Sequence, residues 1–341
     1  MHLNHCCFAR RAGMMTAAAA FAAAFVFGTP LAPPAQAADA SKGKKVLYLE
    51  TLATNPYVTA LVKAFRERAE SYGMEVTVLA SGLDAALQAQ QVDNAIARKF
   101  DFVAIQPLSE QGVVPALIRA KQAGLLVIVV NNPVKEGSED LYISFVGQDQ
   151  VAMGKMAGDL VLKALKQSGR DGGKVALITG ALQEGIGPRR IAGFKDALKA
   201  NPKVEIVAVE DAHWDTATSE RIAGQLYARF AASGGLDVVY GMADNQAVAA
   251  IKAAQAAGIP VGMGPKQLIV VGGNCLKEGL DAIRAGLQDS TIVQSPTDVG
   301  KSAADMINDY FSGKKLPKED LLPIVAVTKA NVDHWAAACT F

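Results

Sequence analysis

The chain has 341 residues and a formal charge of +1, with half of its residues hydrophobic and a fifth charged. That length suits two domains, and the balance is that of a soluble globular α/β protein rather than a disordered or fibrous one. No basic surplus is present to argue for nucleic acid or an anionic lipid surface.

The first segment reads as an export signal. Arg10 and Arg11 precede an apolar, alanine-rich run from Met14 to Phe27, and a Pro-rich stretch then ends in Ala35-Gln36-Ala37. A basic start, a short apolar run and a small-x-small exit describe a secretory signal peptide over residues 1–37, cleaved after Ala37. The run is too short for a comfortable membrane span. Cys6 and Cys7 precede the run instead of following it, which argues against a lipoprotein. The expected location is the periplasm of a Gram-negative cell. Cleavage removes two arginines and no acid, so the charge moves from +1 to −1. His2 and His5 leave with the leader; His213, His334, Cys275 and Cys339 remain. In an oxidising compartment the two thiols either pair, tying the C-terminal tail to a loop after a late strand, or stay buried and free.

From Val46 the chain alternates two kinds of segment. Short β-branched runs fall at Val46–Leu49, Val76–Leu79, Phe102–Ile105, Val127–Val130, Val175–Ile178, Val204–Val209, Val238–Tyr240 and Ile269–Val271. Between them lie stretches with helical spacing: Val58–Tyr72, Leu83–Lys99, Val113–Ala123, Ala192–Ala200, Ile222–Ala232 and Ala247–Ala257. Several stop at Gly or Asn, as helix C-termini do. Apolar strands separated by amphipathic helices specify parallel sheets covered on both faces. The rhythm breaks at Gly147-Gln148-Asp149, before a helix from about Gln150 to Gln167, and restarts at Lys174. This predicts a crossover between two similar Rossmann-like lobes, with Ile292-Val293 and Ile324–Val327 as later recrossings. The expected division is 45–147 plus 295–323 for the N-terminal lobe and 148–294 plus 324–341 for the C-terminal lobe. Lobes joined by several crossings can hinge over a ligand.

The first strand runs into Asn55-Pro56-Tyr57 and then directly into a helix. Pro56 suits the first helical turn. Asn55 then sits at the N-cap beyond the carboxyl end of a strand, where open α/β sheets bind ligands.

This Asn-Pro-aromatic turn resembles the ribose/galactose-type periplasmic binding proteins, the type I solute receptors of sugar ABC transporters. An ordered series of segments carries the resemblance: Asp101–Pro107, Gly124–Asn132, Gly147-Gln148-Asp149 with Gly154–Gly158, Gly180 through Arg190–Phe194, Val270–Asn274 and Thr291–Gln294. It covers essentially the whole mature chain and implies a two-lobed fold with ligand in the cleft. It also implies a site. Asn55 and Tyr57 belong to the first lobe, with Asn131 and Asn132 after the fourth strand, where ribose receptors carry Asp-Arg. Arg190 matches an arginine that donates to sugar hydroxyls, and Trp214 falls where the family stacks an aromatic ring on the sugar. Ala243 replaces a usual amide, for which Asp244 or Asn245 compensates. Asn274 stands where Asp is common, Gln294 matches an amide at the last crossover, and Glu184 is a further candidate.

Taken as chemistry, this set is mostly amides, which donate and accept at once as hydroxyls do. An apolar ligand would leave such groups unpaired at roughly 1–3 kcal/mol each. There is too little positive charge for a phosphate and no cage for a quaternary amine. A small neutral sugar or sugar alcohol fits best, and the lost charges speak against plain ribose. No Gly-Lys-Ser/Thr follows Gly180-x4-Gly185, no Gly-x-Ser-x-Gly elbow exists, and His213 has one distant companion, His334. The cysteines and histidines show no zinc spacing. The expectation is a monomeric binding protein without enzyme activity, metal or cofactor, hinged near Gly147–Asp149, Gln294 and Pro323. It would deliver its ligand to an inner-membrane ABC permease with its ATPase. A receptor feeding a sensor kinase or chemoreceptor, or a sugar-modifying enzyme, is the alternative.

Overall fold

The computed structural model describes residues 40–339, and the signal peptide expected over 1–37 lies outside them. The first half of the chain lays down β1 (Lys45–Glu50), α1 (Pro56–Ser71), β2 (Glu75–Ala80), α2 (Ala85–Ala97), β3 (Phe102–Ile105), α3 (Val114–Gln122), β4 (Leu126–Val130) and β5 (Ser144–Gly147). The second half follows with α4 (Gln150–Gln167), β6 (Gly173–Thr179), α5 (Ile186–Leu198), β7 (Val204–Asp211), α6 (Thr216–Ala231), β8 (Val238–Gly241), α7 (Asp244–Ala256), β9 (Ile269–Val271), α8 (Lys277–Arg284) and β10 (Ser290–Val293). The chain ends with α9 (Pro296–Phe311), β11 (Glu319–Leu321), β12 (Val325–Thr328) and α10 (Val332–Trp335).

Two six-stranded sheets result, ordered β11-β5-β4-β3-β1-β2 and β12-β10-β9-β8-β6-β7. All pairings are parallel except β10 with β12. Each sheet carries apolar side chains on both faces because helices cover both. Val46, Tyr48, Phe102 and Ile128 pack under α1 and α9, while Leu47, Leu49, Val103 and Val129 pack under α2 and α3. The second sheet repeats the plan, with Val175, Leu177 and Tyr240 facing α4 and α5, and Ala176, Ile178 and Val239 facing α6 and α7. The chain passes between the two lobes three times, after β5, after β10 and after β11. Gln294 Nε2 donates to Gln148 Oε1 at 2.9 Å, joining two of the crossings.

Helices α8, α9 and the short α10 add to those the spacing predicts. Gly300 and the polar start of α9 weaken its local signal, yet Gly300 is required: a Cβ there would stand 2.3 Å from the Leu61 carbonyl oxygen of α1. A comparable approach occurs between α4 and α5, where a Cβ on Gly154 or Gly193 would stand 1.9 Å from a backbone oxygen of the other helix. Cys275 and Cys339 form a disulfide, with Cα atoms 5.2 Å apart. Thiol titration of the unfolded, unreduced mature protein is expected to find no free thiol. Finding two would contradict the bond.

Candidate ligand site

The carboxyl ends of the two sheets face each other, and the loops leaving them line one cavity. From the first lobe come Thr51, Leu52, Asn55, Tyr57, Leu83, Gln106, Asn131 and Asn132; the second lobe and its crossing add Glu184, Ile186, Arg190, Trp214, Asn274 and Gln294. The empty space measures about 480 Å³, part of it open to solvent. Nine of the ten residues expected from the sequence therefore line one cavity, all but Asp244.

Asn55 both caps and lines. Its Oδ1 accepts from the backbone N–H groups of Tyr57 and Val58 at 2.9 and 3.3 Å, which fixes the start of α1 and the Tyr57 ring. The Tyr57 hydroxyl donates to Asn131 Oδ1 at 3.0 Å. Asn131 in turn donates to Asn132 Oδ1 at 2.7 Å, and Asn132 donates to the Pro107 carbonyl at 2.8 Å. Gln106 belongs to the same chain of amides, its Nε2 donating to Asn132 Oδ1 at 3.3 Å. The sequence expectation omitted Gln106, which follows β3 and precedes Pro107 much as Asn131 and Asn132, placed by the resemblance, follow β4.

In the second lobe Arg190 is fully buried and its guanidinium is largely spoken for. Nε donates to Gln150 Oε1 at 2.8 Å, Nη1 to the Met242 carbonyl at 2.8 Å and Nη2 to Gln294 Oε1 at 2.7 Å. Three of its five N–H donors thus brace α4, the β8 end and the crossing after β10. Burial holds its pKa below the usual arginine value. Trp214 lies over Gly180, where a Cβ would meet the ring at 1.7 Å, and Arg190 Cζ sits 5.7 Å from the ring centre. The indole N–H donates to Glu184 Oε2 at 2.7 Å. Burial is the main cause that pushes the Glu184 carboxyl up to about 8, with the Trp214 hydrogen bond and the Arg190 charge pulling the other way and Asp211 adding to the rise.

Asp244 is the correction to the expected set. It is fully buried beneath the loop between β9 and α8 and does not line the cavity. Its carboxylate accepts from the Leu276 N–H at 2.7 Å, the Thr291 hydroxyl at 2.9 Å and Gln288 Nε2 at 2.6 Å. Burial nevertheless raises its pKa to about 7. Position beside the missing amide at Ala243 suggested a ligand contact, but α7 starts at Asp244 and turns the side chain into the protein. The neighbouring Asn245 donates to the Trp214 carbonyl and to Thr216 Oγ1, each at 3.0 Å, so it supports the aromatic loop.

Backbone strain concentrates here. Among the described residues six non-glycines have positive φ; Asn131, Trp214 and Asn274 line the cavity, and His213 and Cys275 adjoin them. Such conformations persist where the surroundings over-determine them, and they cluster at sites of function. His213 lies half-exposed on that loop, with Nδ1 3.3 Å from Asp211 Oδ1.

The lobes touch across the cleft. Arg189 on α5 pairs with Glu110, which precedes α3, at 2.5 Å, and the Glu110 N–H donates to the Gln183 carbonyl at 3.1 Å. The pair is partly exposed, so its contribution to the contact between the lobes is about 0.5–1 kcal/mol and weakens in salt. Glu110→Gln is expected to weaken ligand affinity about two- to fivefold at low salt. The difference from wild type should vanish in about 0.5 M salt. A salt-independent loss by calorimetry would show that the ion pair is not the cause.

Among the described residues no group of three His, Cys, Asp or Glu side chains could hold a metal ion, and no helix is long and apolar enough to cross a membrane.

Two parallel-dominated lobes with a cavity at their facing strand ends define the type I periplasmic binding proteins. Residues 49–315 match the family model described as a periplasmic binding protein domain, and the chain belongs to that family. It is 25% identical to a ribose import binding protein of Haemophilus influenzae over 77% of this chain and 84% of that one. A solved ABC transporter solute binding protein from Mycobacterium smegmatis with bound glycerol is 26% identical, with a TM-score of 0.78 over 88% of this chain and 99% of the other. A galactofuranose binding protein of 18% identity shares the fold with a TM-score of 0.80, over 87% and 98% of the two chains.

Proposed function

We propose that this protein is the exported substrate-binding component of an ABC-type importer, and that it closes its two lobes on a small neutral sugar or sugar alcohol. The carrying observation is the lining of the cavity: six amide residues, one buried arginine, one carboxyl and two aromatic rings, drawn from both lobes. Amides match hydroxyls in both donor and acceptor roles. Two buried acceptors of the lining, Gln106 Oε1 and Asn274 Oδ1, have no protein partner, and hydroxyl donors of a ligand would satisfy them. The Trp214 and Tyr57 rings would cover C–H faces. The compounds that the related proteins bind, ribose, galactofuranose and glycerol, belong to the same chemical class.

In this reading nothing is turned over. A ligand touching both lobes favours the closed form by its differential affinity, and the joined lobe surfaces then dock on a permease. An affinity near micromolar, about −8 kcal/mol, suits such a carrier. A thermal-shift panel of pentoses, hexoses, furanose-rich sugars, tetritols, pentitols and inositols tests the proposal. At least one member should raise the melting temperature at millimolar concentration. No shift with any member, together with shifts by amino acids or organic anions, would contradict it.

A further inference from the structure

We propose that the Cys275–Cys339 disulfide is a positioning element of the ligand site, holding Asn274 on the cavity wall by anchoring the loop between β9 and α8 to the C-terminal tail. The inference rests on the cavity being the ligand site.

Asn274 and Cys275 are consecutive residues in the left-handed region, with φ of 75° and 59°. For a non-glycine each such residue costs on the order of 1–2 kcal/mol, least for asparagine, so a pair of them needs external restraint. The restraints are identifiable. From below, Asp244 holds the Leu276 N–H and the Thr291 hydroxyl, and Thr291 Oγ1 accepts from the Cys275 N–H at 3.3 Å. Gly272 and Gly279 let the loop settle onto that carboxylate, since a Cβ at either would stand 2.0 or 2.2 Å from Asp244 atoms. From the side, Asn274 makes an isolated bridge to Val293. The disulfide completes the set.

Upstream of the cross-link the tail is held by buried Val332 and by the Arg284–Asp333 ion pair. Residues 336–338 are half-buried or exposed, whereas Cys339 is fully buried beside Cys275, Leu280, Ile283, Val327 and Val332. The cross-link spans 64 residues, so it removes much freedom from the loop and the tail when they are not otherwise held. Without it the left-handed pair can relax, and Asn274, whose Oδ1 is buried without a partner, leaves the wall. Asn274 acts on the ligand; the disulfide acts through Asn274.

A double-mutant cycle separates this role from plain stabilisation. The probe is whichever neutral polyol of the panel binds the wild-type protein. Asn274→Ala should weaken its binding about tenfold or more in the oxidised protein, as expected for loss of a buried hydrogen bond. In a Cys275→Ala/Cys339→Ala background the same change should cost less than about twofold, because the site has already lost that contact. Trp214→Ala, which lies on a separate loop, should cost the same factor in both backgrounds. Additive losses for Asn274→Ala would overturn the inference, and so would equal shrinkage of both effects, which marks general loosening. If the double variant does not fold, Cys339→Ala alone runs the same cycle with the same criteria. Failure of every polyol to bind the wild-type protein would overturn the receptor reading itself, a different outcome from additivity.

Discussion

Replacing Trp214 with alanine is expected to weaken binding of a polyhydroxy ligand at least about tenfold, or about 1.4 kcal/mol. The fold should remain intact. Two losses act together. The ring covers Gly180 and forms one wall of the cavity, so its removal admits water where a sugar's C–H face would lie. The indole N–H is the hydrogen-bond donor to Glu184 at 2.7 Å, and without it a buried carboxyl loses its partner. The cost to folding is smaller, because Trp214 is only partly buried and packs at the margin of the core. Calorimetry reads the affinity directly; an unchanged value would remove Trp214 from the site.

The largest stability loss is expected at the crossing of α4 and α5. Gly193→Ala places a Cβ 1.9 Å from the Val151 carbonyl oxygen and 2.8 Å from the Lys155 nitrogen, both main-chain atoms that no rotamer change can clear. The helices must separate, so the variant should lose about 3 kcal/mol or more. Reading ΔG from urea unfolding checks this, and a loss under about 1 kcal/mol would show that the crossing is more compliant than its geometry implies. The damage should reach the ligand as well. Arg190 lies one turn before Gly193 and bonds across the same crossing to Gln150, so separating the helices pulls apart the brace behind the cavity.

Much of this was legible in the chain itself. Continuous apolar strands at regular spacing specify parallel sheets, and the break at Gly147-Gln148-Asp149 marks where one sheet ends and the next begins. The Gly154–Gly158 and Arg190–Phe194 segments were readable as markers, but why glycine is needed there depends on another helix, which local pattern does not contain. Helix α9 escaped for a related reason: Gly300 weakens its helical signal and serves α1. Within the site, Asn131, Asn132 and Gln294 were placed by the resemblance to the sugar receptors, and each stands just beyond a strand end. Gln106 stands just beyond β3 as well, and the resemblance assigned it no role. Asp244 shows the limit. One position along the chain decides whether a side chain at a helix start faces the cleft or the interior, and sequence spacing does not resolve that turn. The direction of Arg190 is a second instance, since its partners Gln150, Met242 and Gln294 come from three separate segments.

Small-angle scattering, with and without the polyol that gives the strongest thermal shift, bears on the central claim most directly. Two halves gripping one uncharged, hydroxyl-rich guest predict a smaller radius of gyration at saturation, reversed when the guest is dialysed away. An unaltered radius with every such compound, alongside chemical conversion of one of them, would contradict it.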